Sequence, residues 1–195
     1  RTFRGLQLTK TVNRDGLAGA HCADLGFLEI GGQVQRVERH HGQQPRPRLH
    51  VLADPYAAVG DAPVDACTLE LGAGRWQPLD GRLLPDGPPR TVDGTAYDYR
   101  APRALDGVQI DTPFTDVARS TVLRGPTGET ELWTAPSLPW AQVFIADPVN
   151  GNGYPGRGRA VAVEPMSAPG NALHTGTDVI RLAPGARWGT EWGIR

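Results

Sequence analysis

Lysine is nearly absent from this chain of 195 residues: Lys10 stands alone among 20 basic side chains. The rest are arginines scattered without a stripe or a tail, and the formal net charge is -1. A nucleic-acid partner needs clustered cations, so none is expected. Cysteine is as scarce. Cys22 and Cys67 form no C-x-x-C pair and have no histidine at zinc-finger spacing, which reads as two small thiols rather than metal ligands and leaves a disulfide open. No run of 18 apolar residues occurs, and the opening R-T-F-R-G-L-Q-L lacks the apolar stretch of a secretion signal. The expectation is a cytoplasmic protein with no membrane partner. The chain starts at Arg1 rather than Met, which leaves room for an upstream segment.

Long helices are missing too. With 25 glycines and 18 prolines, no window of about twelve residues carries a helical stripe that is not broken. What the chain has instead is a series of short apolar or alternating runs bounded by Gly, Pro, Asp or Asn. They fall at 49–53, 67–71, 130–134, 140–145, 160–164 and 179–182, with weaker alternation at Leu6, Leu8 and Val12 and around Leu28, Ile30, Val34 and Val37. Trp188, Thr190, Trp192 and Ile194 share one face at the end of the chain. The pattern predicts an all-β fold of two antiparallel sheets in one domain, and 39% hydrophobic content suffices for its core.

Two stretches carry little periodicity. Residues 72–102 are rich in turns and are expected to cross the surface. Residues 147–159, D-P-V-N-G-N-G-Y-P-G-R-G-R, are glycine-rich but lack the G-K-[ST] ending of a phosphate-binding loop, and read as a flexible rim. His21, His50 and His174 have no ligand-like spacing and read as surface or satisfied core histidines.

One carboxylate stands out. In A-V-E-P-M-S-A-P-G-N-A-L, residues 162–173, Glu164 follows the apolar run Val161 to Val163 and precedes Pro165, which is expected to end regular pairing and leave Glu164 at a strand exit. A rigid strand end can hold a general base. A solvated surface acid is the plain alternative.

The segment from 160 to 194 resembles the C-terminus of aldose 1-epimerases, also called galactose mutarotases. E-L-W-T-A-P-S-L-P-W-A-Q-V-F at 131–144 is similar to that family's penultimate strand pair, V-Q-I-D-T-P-F-T-D-V at 108–117 to its substrate-binding Asp segment, and L-A-D-P-Y at 52–56 to its H-P-Y segment. The likeness is good from about residue 45 onward and weaker from 1 to 42. The family's N-terminal third, which carries an Arg and a His that help to bind or activate the sugar, has no counterpart, and His40 and His41 do not stand in that place.

The resemblance implies a galactose mutarotase-like super-sandwich of two large antiparallel sheets, truncated at its N-terminal side, with a hexose on an open sheet face. It implies interconversion of α and β anomers by general acid and base, with Glu164 as base, Asp111 holding sugar hydroxyls, Tyr56 lining the pocket, and neither metal nor organic cofactor. The family's acid is a His where this chain has Asp54. An ordinary Asp is ionised at neutral pH and cannot donate a proton, unless burial and a like charge raise it as in carboxylate dyads. A non-catalytic carbohydrate-binding or degenerate module, and a truncated chain with an open sheet edge, stand as alternatives. The tryptophans Trp133, Trp140, Trp188 and Trp192 are assigned to core packing before sugar stacking.

Overall fold

β-branched and aliphatic residues at every second position leave one face of each strand to be buried, and two such faces bury each other. A computed structural model describes residues 48–183 and 186–195, together with the backbone of three strands before them. In chain order the strands are β1 (Leu8–Val12), β2 (Ala18–Ala20), β3 (Val34–Gln35), β4 (Arg48–Val51), β5 (Tyr56–Ala57), β6 (Thr68–Leu71), β7 (Arg75–Trp76), β8 (Arg90–Thr91), β9 (Arg103–Ala104), β10 (Asp111–Thr115), β11 (Ser120–Gly125), β12 (Gly128–Thr134), β13 (Trp140–Ala146), β14 (Ala160–Met166), β15 (Ile180–Arg181), β16 (Arg187–Thr190) and β17 (Trp192–Ile194). A single α-helical turn, α1 (Ala172–Thr175), is the only α-helix among the described residues.

Two large antiparallel sheets dominate. One has six strands in the order β5-β14-β13-β10-β7-β8, the other five in the order β17-β12-β11-β6-β9. Two three-stranded sheets, β16-β1-β2 and β15-β4-β3, and isolated bridges such as Leu52 with Met166 add to the described pairing. The all-β architecture with two large sheets is as expected.

The core lies between the two large sheets. Phe114, Ala141, Val143, Ile145, Val161 and Val163 come from the six-stranded sheet, and Leu69, Leu71, Leu123 and Leu132 meet them from the five-stranded one. Phe114, Leu69, Leu71, Val143 and Val161 are fully shielded from solvent. On the far side of the five-stranded sheet Arg124 pairs with Glu70 and Glu129, and Arg195 with Glu131.

Several expectations need correction. Residues 72–102 do not merely cross the surface: they supply β7 and β8 and bury Val92 and Tyr99 in the core. Their single large side chains are spaced too irregularly to show a period, yet Tyr99 packs edge-on against Phe114 in the core. Trp188 and Trp192 do not lie on one continuous strand. The chain breaks at Glu191, so β16 pairs with β1 while β17 pairs with β12, although both rings pack on the core. Gly193 on β17 is required by contact, since a Cβ there would lie 2.7 Å from the Trp133 indole nitrogen.

Buried Cys67 is a free thiol. His174 is exposed at the end of α1. His50 is buried and only half satisfied, hydrogen-bonded to the Ala168 backbone with no partner for Nε2 among the described residues. Leu6, Leu28, Ile30, Val37, Cys22, His21, His40 and His41 lie outside the described residues.

Candidate functional site

Residues directly opposite in an antiparallel ladder share a face, so the register of the six-stranded sheet assigns its side chains without ambiguity. Ala141, Val143 and Ile145 of β13 face the core, which turns Trp140, Gln142 and Phe144 to the other side. On β14 the same alternation sends Val161 and Val163 inward and Ala162, Glu164 and Met166 outward.

Two rows cross the outer face. In the first, Tyr56 of β5 lies opposite Ala162, Ala162 opposite Phe144, and Phe144 opposite Asp111 of β10. In the second, Glu164 lies opposite Gln142, and Gln142 opposite Pro113. Asp54 precedes Pro55 and Tyr56 on the β14 side, where Ala53 donates its N–H to the Pro165 carbonyl and Val163 donates to the Pro55 carbonyl. Asp54 is thereby held beside Glu164.

Glu164 is not at a strand exit. β14 runs on to Met166, and Pro165 sits in the ladder opposite Ala141. The Pro165 carbonyl accepts from Ala53, so its missing N–H faces that irregular segment rather than β13, and no ladder bond is lost. The carboxyl is therefore carried on the interior of a seven-residue strand, half-buried, and held more firmly than a loop position would allow.

The electrostatics follow from this placement. Burial, first, and then the negative charges of Asp54 and Asp111 push Glu164 up to about 8. Asp54 is exposed at the rim as a residue, yet partial burial of its carboxyl raises that group above the usual range. The Tyr56 phenol is raised by burial and then by Asp54, Glu164 and Tyr154. Among the described residues none of Asp54, Glu164 and Asp111 forms an ion pair.

Of the four residues singled out in the sequence, Glu164, Asp111 and Tyr56 thus lie on one face of one sheet, and Asp54 stands beside that face on the segment leading into β5. Gln142 was missed. Its Nε2 donates to Asp111 Oδ1 at 2.5 Å, and it stands between that carboxylate and Glu164. The alternation W-A-Q-V-F carried the signal: a polar residue flanked by core valine and alanine must face the other way.

Trp140 shares this face but is buried, its Nε1 donating to Asp178 at 2.8 Å, and it closes the face at the Met166 end. No three His, Cys, Asp or Glu side chains among the described residues are grouped to hold a metal ion. No helix among them is long and apolar enough to cross a membrane.

No protein-family model and no curated protein sequence matches the chain. Solved structures do. A protein of Escherichia coli K12 provisionally assigned as an aldose 1-epimerase aligns with a TM-score of 0.62 at 21% identity, over 76% of this chain and 50% of its own. An aldose epimerase homologue from C. elegans aligns at 0.61 and 18%, over 76% and 52%. Galactose 1-epimerase from Lactobacillus acidophilus aligns at 0.54 and 19%, over 76% and 53%. The chain spans about half the length of these structures. At such identities the likeness is one of fold, and the fold of this chain is that of the aldose 1-epimerase and galactose mutarotase-like proteins.

Proposed function

We propose that the outer face of the six-stranded sheet binds a hexose and interconverts its α and β anomers by proton exchange with two carboxylates, Asp54 and Glu164. One observation carries this reading. Glu164 is half-buried on a strand interior, with Asp54 beside it, Asp111 on the same face and no paired cation among the described residues, so its carboxyl keeps a proton at neutral pH. A purely structural acid gains nothing from such a position, because burial without a partner only costs stability.

Ring opening needs a proton at the ring oxygen and loss of the proton on the anomeric hydroxyl. The ring C–O electron pair moves onto the ring oxygen as that oxygen is protonated. The electrons of the anomeric O–H then form the C1 carbonyl as the base takes the proton. Rotation about C1–C2 presents the other carbonyl face, and closure runs both transfers backward. Each well-placed transfer contributes about 10² to 10⁴ in rate.

Resemblance implied Glu164 as base and Asp54 as acid. The burial of Glu164 favours the opposite starting state, with the proton on Glu164 and the charge on the more exposed Asp54. One proton shared by two carboxylates still serves both half-reactions, since closure reverses the roles of opening. Asp111, oriented by Gln142, holds sugar hydroxyls, and Tyr56 bounds the sugar beside the dyad.

Polarimetry of freshly dissolved α-D-glucose or α-D-galactose tests the reading. The protein should accelerate the approach to equilibrium, and Glu164→Gln should abolish the gain while sparing binding. Binding with no acceleration in the unaltered protein would favour a non-catalytic carbohydrate-binding module. The presence of Asp54 where the resembling family has a His gives that second reading its support.

A further inference from the structure

Tyr154 has no part in the chemistry above, yet its placement is elaborate. It sits in the β13–β14 connection and is 38% exposed. Its ring centroid lies 4.5 Å from that of Tyr56, with the planes tilted by 47°. Tyr56 in turn stands in the outer-face row beside Ala162, adjacent to Glu164 along β14. The aromatic pair therefore borders the carboxylates on the sheet's outer face.

The loop that carries Tyr154 is not the flexible rim that its glycine content suggests. Asp147, buried at its first position, caps the turn Pro148–Asn150 through the Val149 N–H, accepts from Gln109 Nε2 at 2.5 Å and pairs with Arg159 at the loop's far end. Gly151 takes a left-handed conformation at φ 75°, which lets the chain turn back, and Tyr154 and Gly158 close the tip with a β-bridge. Core packing does not account for an exposed ring held at the end of so fixed an arm.

We propose that Tyr154 and Tyr56 form an aromatic wall at the end of the carboxylate rows, on which the apolar C–H face of a hexopyranose stacks, and that Tyr154 sets how tightly the sugar is held. This rests on the reading of the outer face as a hexose site. A ring of this size offers a large rigid contact at low entropic cost, while its hydroxyl stays in water. Tyr154 touches neither proton in transit, so its contribution lies in binding.

The test uses Tyr154→Ala and Tyr154→Phe in the full chain, with mutarotation followed by polarimetry and hexose binding by saturation transfer from protein to sugar C–H protons. Tyr154→Ala should raise KM about tenfold with kcat within about twofold of the unaltered protein, roughly the effect of losing one stacking contact. Tyr154→Phe, which keeps the ring, should bring KM back to within about threefold. An unchanged KM in Tyr154→Ala, or a Tyr154→Phe as weak as Tyr154→Ala, overturns the wall. Glu164→Gln separates the two ideas. If it leaves the rate intact while Tyr154→Ala still weakens sugar binding, the dyad fails and the wall stands. If it abolishes the rate while Tyr154→Ala binds normally, the wall fails alone. Absence of any hexose binding in the unaltered protein overturns both.

Discussion

Glu164 lies directly across the β13–β14 ladder from Gln142, and Gln142 passes its amide to Asp111 on the next strand. The three residues stand on three neighbouring strands, and the Gln142 amide is the donor that fixes the Asp111 carboxylate. Gln142→Ala should leave Asp111 unoriented and raise KM for the hexose about tenfold, with a smaller change in kcat. Steady-state polarimetry over a range of sugar concentrations checks the split.

The raised Glu164 makes stability depend on pH in a fixed direction. Below about pH 4.5 both folded and unfolded states hold the proton and nothing is lost. As pH climbs to about 8 the unfolded state releases it first, and the folded state weakens. Glu164→Gln should therefore match the unaltered protein near pH 4 and exceed it above pH 8. A gap of roughly 3 kcal/mol follows from about 1.4 kcal/mol per pKa unit, reduced for a half-exposed carboxyl. Thermal melts at both pH values read it directly, and a gap that widens toward acid contradicts the assignment.

Removing the neighbouring charge should lower Glu164 only part of the way, because burial is the larger cause and remains. Asp54→Asn should bring its titration below 8 but not down to 4.5, as followed by the carboxyl carbon resonance. Asp54→His puts a group that titrates near neutrality in place of the negative charge that raises Glu164, so either partner can hold the shared proton and the mutarotation rate should rise. No gain by polarimetry would place Asp54 outside the proton path.

Arg159 ties Asp147 to Asp65 and donates to the carbonyls of Leu105 and Val108 from a side chain only 18% exposed. Arg159→Met would strand the buried Asp147 carboxylate, at a cost of about 3 kcal/mol. A fall in Tm of roughly 6–12 °C should follow. The loss should be smaller in Arg159→Met combined with Asp147→Asn.

Much of this was legible before the structure. Short apolar or alternating runs named β4, β6, β12, β13, β14 and β15 to within a few residues, because each strand buries apolar side chains between turn-forming residues. β10 and the end of β14 were harder. Each contains a proline, Pro113 and Pro165, and proline reads as a strand breaker. In both, the proline carbonyl accepts from an N–H on the side away from β13, Gln77 for Pro113 and Ala53 for Pro165, so the missing donor falls where the neighbouring backbone is irregular. Only the register decides which way a proline's absent N–H points. Gln142 and Tyr154 were hidden for another reason: their importance comes from partners 31 and 98 positions away, Asp111 and Tyr56.

The register of the six-stranded sheet also fixes a dimension. Adjacent strands stand about 4.8 Å apart and residues rise about 3.4 Å along each, so the backbones of Glu164 on β14 and Asp111 on β10, two strands and two residues apart, are separated by about 12 Å, whatever the loops do. The sheet acts as a ruler whose divisions are peptide hydrogen bonds. A lineage that came to accept a broader or narrower ligand could not slide these groups apart; it would have to lengthen or shorten the side chains standing on fixed marks.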